Sequence, residues 1–179
     1  MIRSAVRPTG VERTFAPDEL IVSKTDLRGR LTYANDVFLR VSAFDEDEVI
    51  GKPHNIIRHP AMPRCIFALL WETLEAGDEM FAYVVNLAAD GAHYWVLAHV
   101  TPSLDERGTL VGYHSNRRVP DRGAVATIEQ LYRRLVDIEK RHGSPKEAIA
   151  ASSAQLTADL AARGQSYDEF VWSLTGAAA

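Results

Sequence analysis

The run from Met80 to Ser115, MFAYVVNLAADGAHYWVLAHVTPSLDERGTLVGYHS, decides the fold. It divides into three extended segments, Met80 to Leu87, Tyr94 to Pro102 and Leu110 to Ser115. Their apolar, β-branched and aromatic side chains suit a pleated, half-buried surface, so the segments predict strands. Asp90-Gly91 separates the first pair and Asp105-Glu106-Arg107-Gly108 the second. An acidic residue near a glycine serves a tight turn, which makes the three strands consecutive antiparallel hairpins.

Upstream, Leu20-Ile21-Val22 is a short strand signal, and Asp26-Leu27-Arg28-Gly29 turns the chain into Leu31-Thr32-Tyr33-Ala34. This second hairpin completes a five-stranded antiparallel sheet. Asn35 or Asp36 can cap a helix, and Phe38, Val41 and Phe44, three apart, press that helix on the sheet. Asp45-Glu46-Asp47-Glu48 reads as a solvated helix start, not a metal site. Pro53 and Pro60 bracket a segment too short for a long helix, whereas Pro63 opens one that runs through Trp71 and Leu74 to Gly77. The fold class is therefore α+β, with short helices on one face of the sheet.

Downstream, Ile128, Leu131, Tyr132, Leu135 and Ile138 form an apolar stripe that ends before Gly143. Ser144-Pro145-Lys146-Glu147 and Ser166-Tyr167-Asp168-Glu169 are capping boxes, each starting another helix. The expected organisation is a mobile arm over residues 1–19, a sensor-sized domain over 20–120 and a three-helix extension over 121–179. Amphipathic helices of this length need a surface, so the extension either folds back on the sheet's exposed face or makes a homodimer.

With 46% hydrophobic residues among 179, the chain can bury one core and carry an appendage. A net charge of −4 offers no basic field for a phosphate backbone, so nucleic acid is not expected among its partners. Cys65 is the only cysteine, which excludes an internal disulfide and Cys-rich zinc patterns. No apolar run reaches about 18 residues, and the first residues lack a signal-peptide pattern. A cytoplasmic protein without a transmembrane segment is expected. No nucleophile elbow, phosphate loop or metal-ligand helix is present, and His59, Asp90 and His93 are weak acid–base candidates, so the chain reads as no enzyme.

Several motifs carry a resemblance. Tyr33-Ala34-Asn35-Asp36-Val37-Phe38, Gly51-Lys52-Pro53-His54-Asn55, Arg58-His59-Pro60-Ala61-Met62-Pro63 and Gly91-Ala92-His93-Tyr94-Trp95-Val96 resemble the PAS domain of bacterial aerotaxis receptors over about residues 20 to 137. That resemblance implies a PAS fold that holds FAD non-covalently and reports redox or oxygen state to a protein partner in chemotaxis or another signalling pathway. It also implies flavin contacts at Asn35, Arg58, His59, Trp71 and Asn86. Their chemistry suits a flavin: Arg58 offers donors for phosphate, Asn86 an amide for the ring edge, and Trp71 a packing surface. Asn35 also suits a plain helix cap and Trp71 a plain core position. One departure is Leu87-Ala88-Ala89, where the receptors carry a basic stretch after the asparagine.

Haem b is a rival ligand, through His99 or His114 on strands expected to turn them inward. Blue-light adduct chemistry is rejected because Asn55-Ile56-Ile57-Arg58 lacks a thiol and Cys65 falls on the next helix. A ligand-free adaptor is the third alternative. If flavin binds, redox change is expected to pass through the strands beside the pocket to the helix at 121 to 142.

Overall fold

The computed structural model describes residues 6–175. Five strands, β1 (Ile21–Thr25), β2 (Leu31–Ala34), β3 (Met80–Leu87), β4 (His93–Leu104) and β5 (Leu110–Arg118), form one antiparallel sheet in the order β2-β1-β5-β4-β3. Both C-terminal hairpins fall where the turn residues place them. In the close pairing of β1 with β5, a side chain at Gly112 would stand 2.1 Å from the Thr25 carbonyl oxygen, so glycine is required there.

Between β2 and β3 lie α1 (Asp36–Ser42), α2 (Glu46–Val49), a single 3-10 turn (His54–Ile57) and α3 (Arg64–Glu75). Phe38, Val41, Val49 and Ile57 from this segment pack with Ile21, Tyr94, Val96 and Ala98 on one face of the sheet. Strand alternation sends the neighbouring residues to the opposite face. There Tyr83, Val85 and Trp95 meet α4 (Arg122–Glu139), α5 (Pro145–Arg163) and α6 (Tyr167–Thr175). The helical extension thus folds back on the sheet, and Ile128, Leu131, Tyr132 and Leu135 are its buried stripe.

Helix α3 belongs to both layers. Cys65 and Ile66 at its start, with Met62 just before it, join the cluster around α4 and α5, Phe67 touches both that cluster and the opposite side, and Trp71 and Leu74 turn toward the opposite face. Of the two expected capping boxes, that at Ser166 forms in full, with Ser166 N and Glu169 N exchanging bonds with each other's side chains, whereas Ser144 makes only the N-cap half, its Oγ accepting from Glu147 N at 3.2 Å.

Where a mobile arm is expected over 1–19, the described part is docked. Thr9 N donates to Gly91 O at 2.9 Å, His93 N to Val11 O at 2.9 Å and Arg13 N to His93 O at 2.7 Å. Gly91, at φ +89°, makes room for this approach, since a Cβ there would lie 2.5 Å from Arg7 O. Arg13 pairs with Asp90, Glu12 with Arg122, and Phe15 is buried. Residues 1–5 of the expected arm lie outside the described residues.

Candidate functional site

A hollow of about 220 Å³ lies between α3 and the helix-covered face of the sheet. Val84, Ala98 and Val100 form its floor, and Ile57, Phe67 and Leu74 part of its wall. Trp71 stands at its edge, 36% exposed, with its ring edge-on to Tyr113 at 5.3 Å and close against Gly29. An apolar slot with few polar groups is the usual character of a small-molecule site, although this volume lies below the usual ~300–1,000 Å³.

The polar groups come from the strands. Asn86 and Ser115 are both buried, and neither Asn86 Nδ2 nor Ser115 Oγ has a hydrogen-bond partner. Such orphans are uncommon in folded proteins because each forfeits its hydration, so an orphan on a cavity wall points to a ligand. A main-chain bridge between Arg58 and Asn86 joins the helical segment to β3 beside the hollow.

Deeper lies a cationic cluster. Arg117 is only 4% exposed, and its guanidinium donates to Ser23 Oγ at 3.1 Å and to His54 Nε2 at 2.7 Å. His54 Nε2 therefore acts as the acceptor, and the imidazole is neutral. Burial first, and then the charge of Arg117, pull the His54 pKa down to about 3. His54 is half-buried and borders the hollow. Burial also lowers the Arg117 pKa to about 10. Among the described residues no carboxylate lies in ion-pair reach of Arg117, so the hollow carries an uncompensated positive charge.

The structure brings together Arg58, Trp71 and Asn86 of the five expected contacts. Arg58 donates from Nη2 to Met62 O at 3.0 Å and lies over the Phe67 ring at 4.8 Å. Asn35 is elsewhere: its Oδ1 accepts from Phe38 N and Val22 N at 3.0 Å, and its Nδ2 donates to Leu20 O at 2.8 Å. It caps α1 and ties that helix to β1. His59 opens on a separate cleft, with Nδ1 accepting from Ala61 N at 3.1 Å and its ring 5.8 Å from His93.

Sequence reasoning missed Ser23, His54, Ser115 and Arg117 as site residues. Period-2 alternation in β5 was the available signal, since it sets Arg117 on the same face as Tyr113 and Ser115. The expectation that His99 turns inward is corrected. Its register beside Phe81 sets it on the opposite face, where the two rings stack at 4.1 Å. The same correction applies to His114: it lies between Tyr113 and Ser115 on β5, opposite Thr101 and Lys24, so although its position on the strand borders the hollow, its side chain alternates to the other face. Cys65 is buried against α4 and α5, with its thiol pKa raised by burial.

A five-stranded antiparallel sheet, a cap of short helices and a polar-tipped hollow between them define an α+β domain with an internal cavity. Residues 21–115 match the family described as the PAS fold, and the chain belongs to the PAS family. Over 121 residues it is 41% identical to the aerotaxis receptor of Escherichia coli (strain K12), covering 68% of this chain and 24% of the receptor. It is 30% identical over 112 residues to the nitrogen fixation regulatory protein of Klebsiella pneumoniae, covering 63% of this chain and 22% of that protein. The chain thus spans about a quarter of these relatives' length. A solved light-oxygen-voltage domain from work on a flavin analogue shares the fold, with a TM-score of 0.54 and 20% identity over 62% of this chain and 84% of its own. The chain is a PAS domain similar in sequence to part of the aerotaxis receptor. Among the described residues no helix is long and apolar enough to cross a membrane.

Proposed function

We propose that this PAS domain binds FAD non-covalently in the hollow and reports redox or oxygen state through contacts with a partner protein, without catalysing a reaction. The observation that carries the reading is the orphaned Asn86 Nδ2, buried on the wall of an apolar slot. When bound, a flavin supplies reversible electron uptake, and its ring edge has both donors and acceptors. Asn86 and Ser115 offer complementary groups to such an edge. Arg117 supplies positive charge in a dry setting, where it favours a reduced, more negative ring. Trp71 covers the edge of the slot and restricts water.

The output follows from α3. Its far end borders the hollow, and its start is tied to α4 and α5, so a rearranged hydrogen bond near Asn86 or Arg58 reaches the C-terminal helices through one rigid element. A cytoplasmic chain, paired with itself and with a chemotaxis or similar signalling protein, fits this role. Haem is the weaker ligand, because the imidazole nitrogen at the hollow's base already accepts from Arg117.

Ligand-stripped protein melted with and without FAD tests the reading. At a hundredfold excess over Kd, FAD adds about 2.7 kcal/mol, a rise of about 5–10 °C for a chain of this size. Asn86→Leu should lose most of that rise while gaining about 1 kcal/mol without ligand, since it removes an unpaired buried amide. An unchanged melting temperature with FAD would leave a contact module in place of a flavin sensor.

A further inference from the structure

The hollow is too small for a dinucleotide, so the position of its phosphates is a separate question. A second, open cleft of about 490 Å³ lies between the start of α3 and the corner joining α4 to α5. Arg58 borders both spaces. Arg64 and Lys140 also line the cleft, with His59 and His142.

We propose that this cleft is a diphosphate subsite, in which Arg58, Arg64 and Lys140 take the diphosphate of a flavin dinucleotide whose ring lies in the hollow. The proposal rests on the flavin reading above and adds the location and chemistry of the tail. Among the described residues, neither Arg58 nor Arg64 has a carboxylate in ion-pair reach. The two are close enough for the charge of Arg64 to lower the Arg58 pKa, behind the larger effect of burial. The charge of Glu139 offsets the repulsion between the two guanidinium groups only in part, and a bound anion relieves the remainder. One Nη of Arg58 is committed to Met62 O, which holds the side chain in place and leaves other donors available. Lys140 pairs with Asp137 at 3.2 Å, but both are largely exposed and the pair is readily exchanged.

One carboxylate, Glu139, faces the cleft. It is already bonded, accepting at Oε1 from Arg64 N at 2.7 Å, Cys65 N at 3.2 Å and Ser152 Oγ at 3.0 Å. Three permanent cations therefore outweigh one engaged anion. The segment after Asn86 cannot supply this grip, since Leu87 and Ala88 are apolar and buried. In this chain the cations come from the start of α3 and from the C-terminal helices.

Titrations of the full chain with riboflavin and with FAD, compared with an Arg64→Gln/Lys140→Gln variant, test the subsite. Both residues are exposed, so neither change disturbs the core. The wild type should bind FAD at least about tenfold more tightly than riboflavin, and the variant should lose about that factor for FAD alone, as expected for lost charge-assisted bonds. Equal losses for both ligands, or no preference for FAD in the wild type, would overturn the subsite and leave a flavin ring site in the hollow. A wild type that binds neither ligand would overturn both.

Discussion

Arg117 and His54 give the hollow its electrical character, and they do so through burial. A guanidinium with no carboxylate partner forces its neighbour to stay neutral, so His54 accepts a proton far less readily in the folded chain than in the unfolded one. Its folded pKa is about 3 and its ordinary value 6.5, so between those limits the unfolded chain binds the additional proton. Stability therefore rises with pH across that window and falls as acid is added below about 6.5, by up to about 1.4 kcal/mol per pH unit from this group. His54→Gln keeps an acceptor for Arg117 and has no such proton to bind. Urea denaturation from pH 7 to pH 4 should show the wild type losing stability faster than the variant, and parallel curves would rule out this origin. That Arg58, Trp71 and Asn86 would share one hollow was legible only through the family resemblance, since taken singly each also suits a structural position. Asn35 was not separable, since one amide serves equally to cap a helix and to touch a ligand. Arg117 stayed hidden because a strand-end arginine usually points to solvent.

At the scale of elements, α3 carries the connection between site and surface. Its first backbone amides donate to Glu139 of α4, so a side chain 75 residues away from Arg64 does the work of an N-cap. Glu139→Ala should cost about 2 kcal/mol in chemical denaturation, because it removes the cap and leaves buried amides unpaired. A loss under about 0.5 kcal/mol would mean that the first turn of α3 is held by packing alone. The hairpins at Asp90-Gly91 and Asp105 to Gly108, the N-cap at Ser144 and the capping box at Ser166 were readable because the chemistry of each lies within four or so residues. The docking of residues 9–15 was not. It depends on main-chain bonds to Gly91 and His93, and backbone groups leave no hydrophobic period in the sequence.

At the scale of the molecule, the sheet has a separate cover on each face, and α3 bridges the two. The apolar stripe from Ile128 to Leu135 announced that these residues would be buried, but a stripe does not name its partner, and the structure supplies the sheet as that partner. With its outer face covered, the domain exposes the outer sides of its helices, and under the proposed function a signal from the hollow would reach them through α3 and α4. All of this depends on the hollow holding a flavin ring. The absorption spectrum of the freshly purified protein measures that directly. Paired bands near about 370 and 450 nm, bleached by dithionite and restored by air, are the expected result for bound oxidised flavin. A sharp Soret band, or a colourless protein that stays colourless after incubation with FAD, would contradict it.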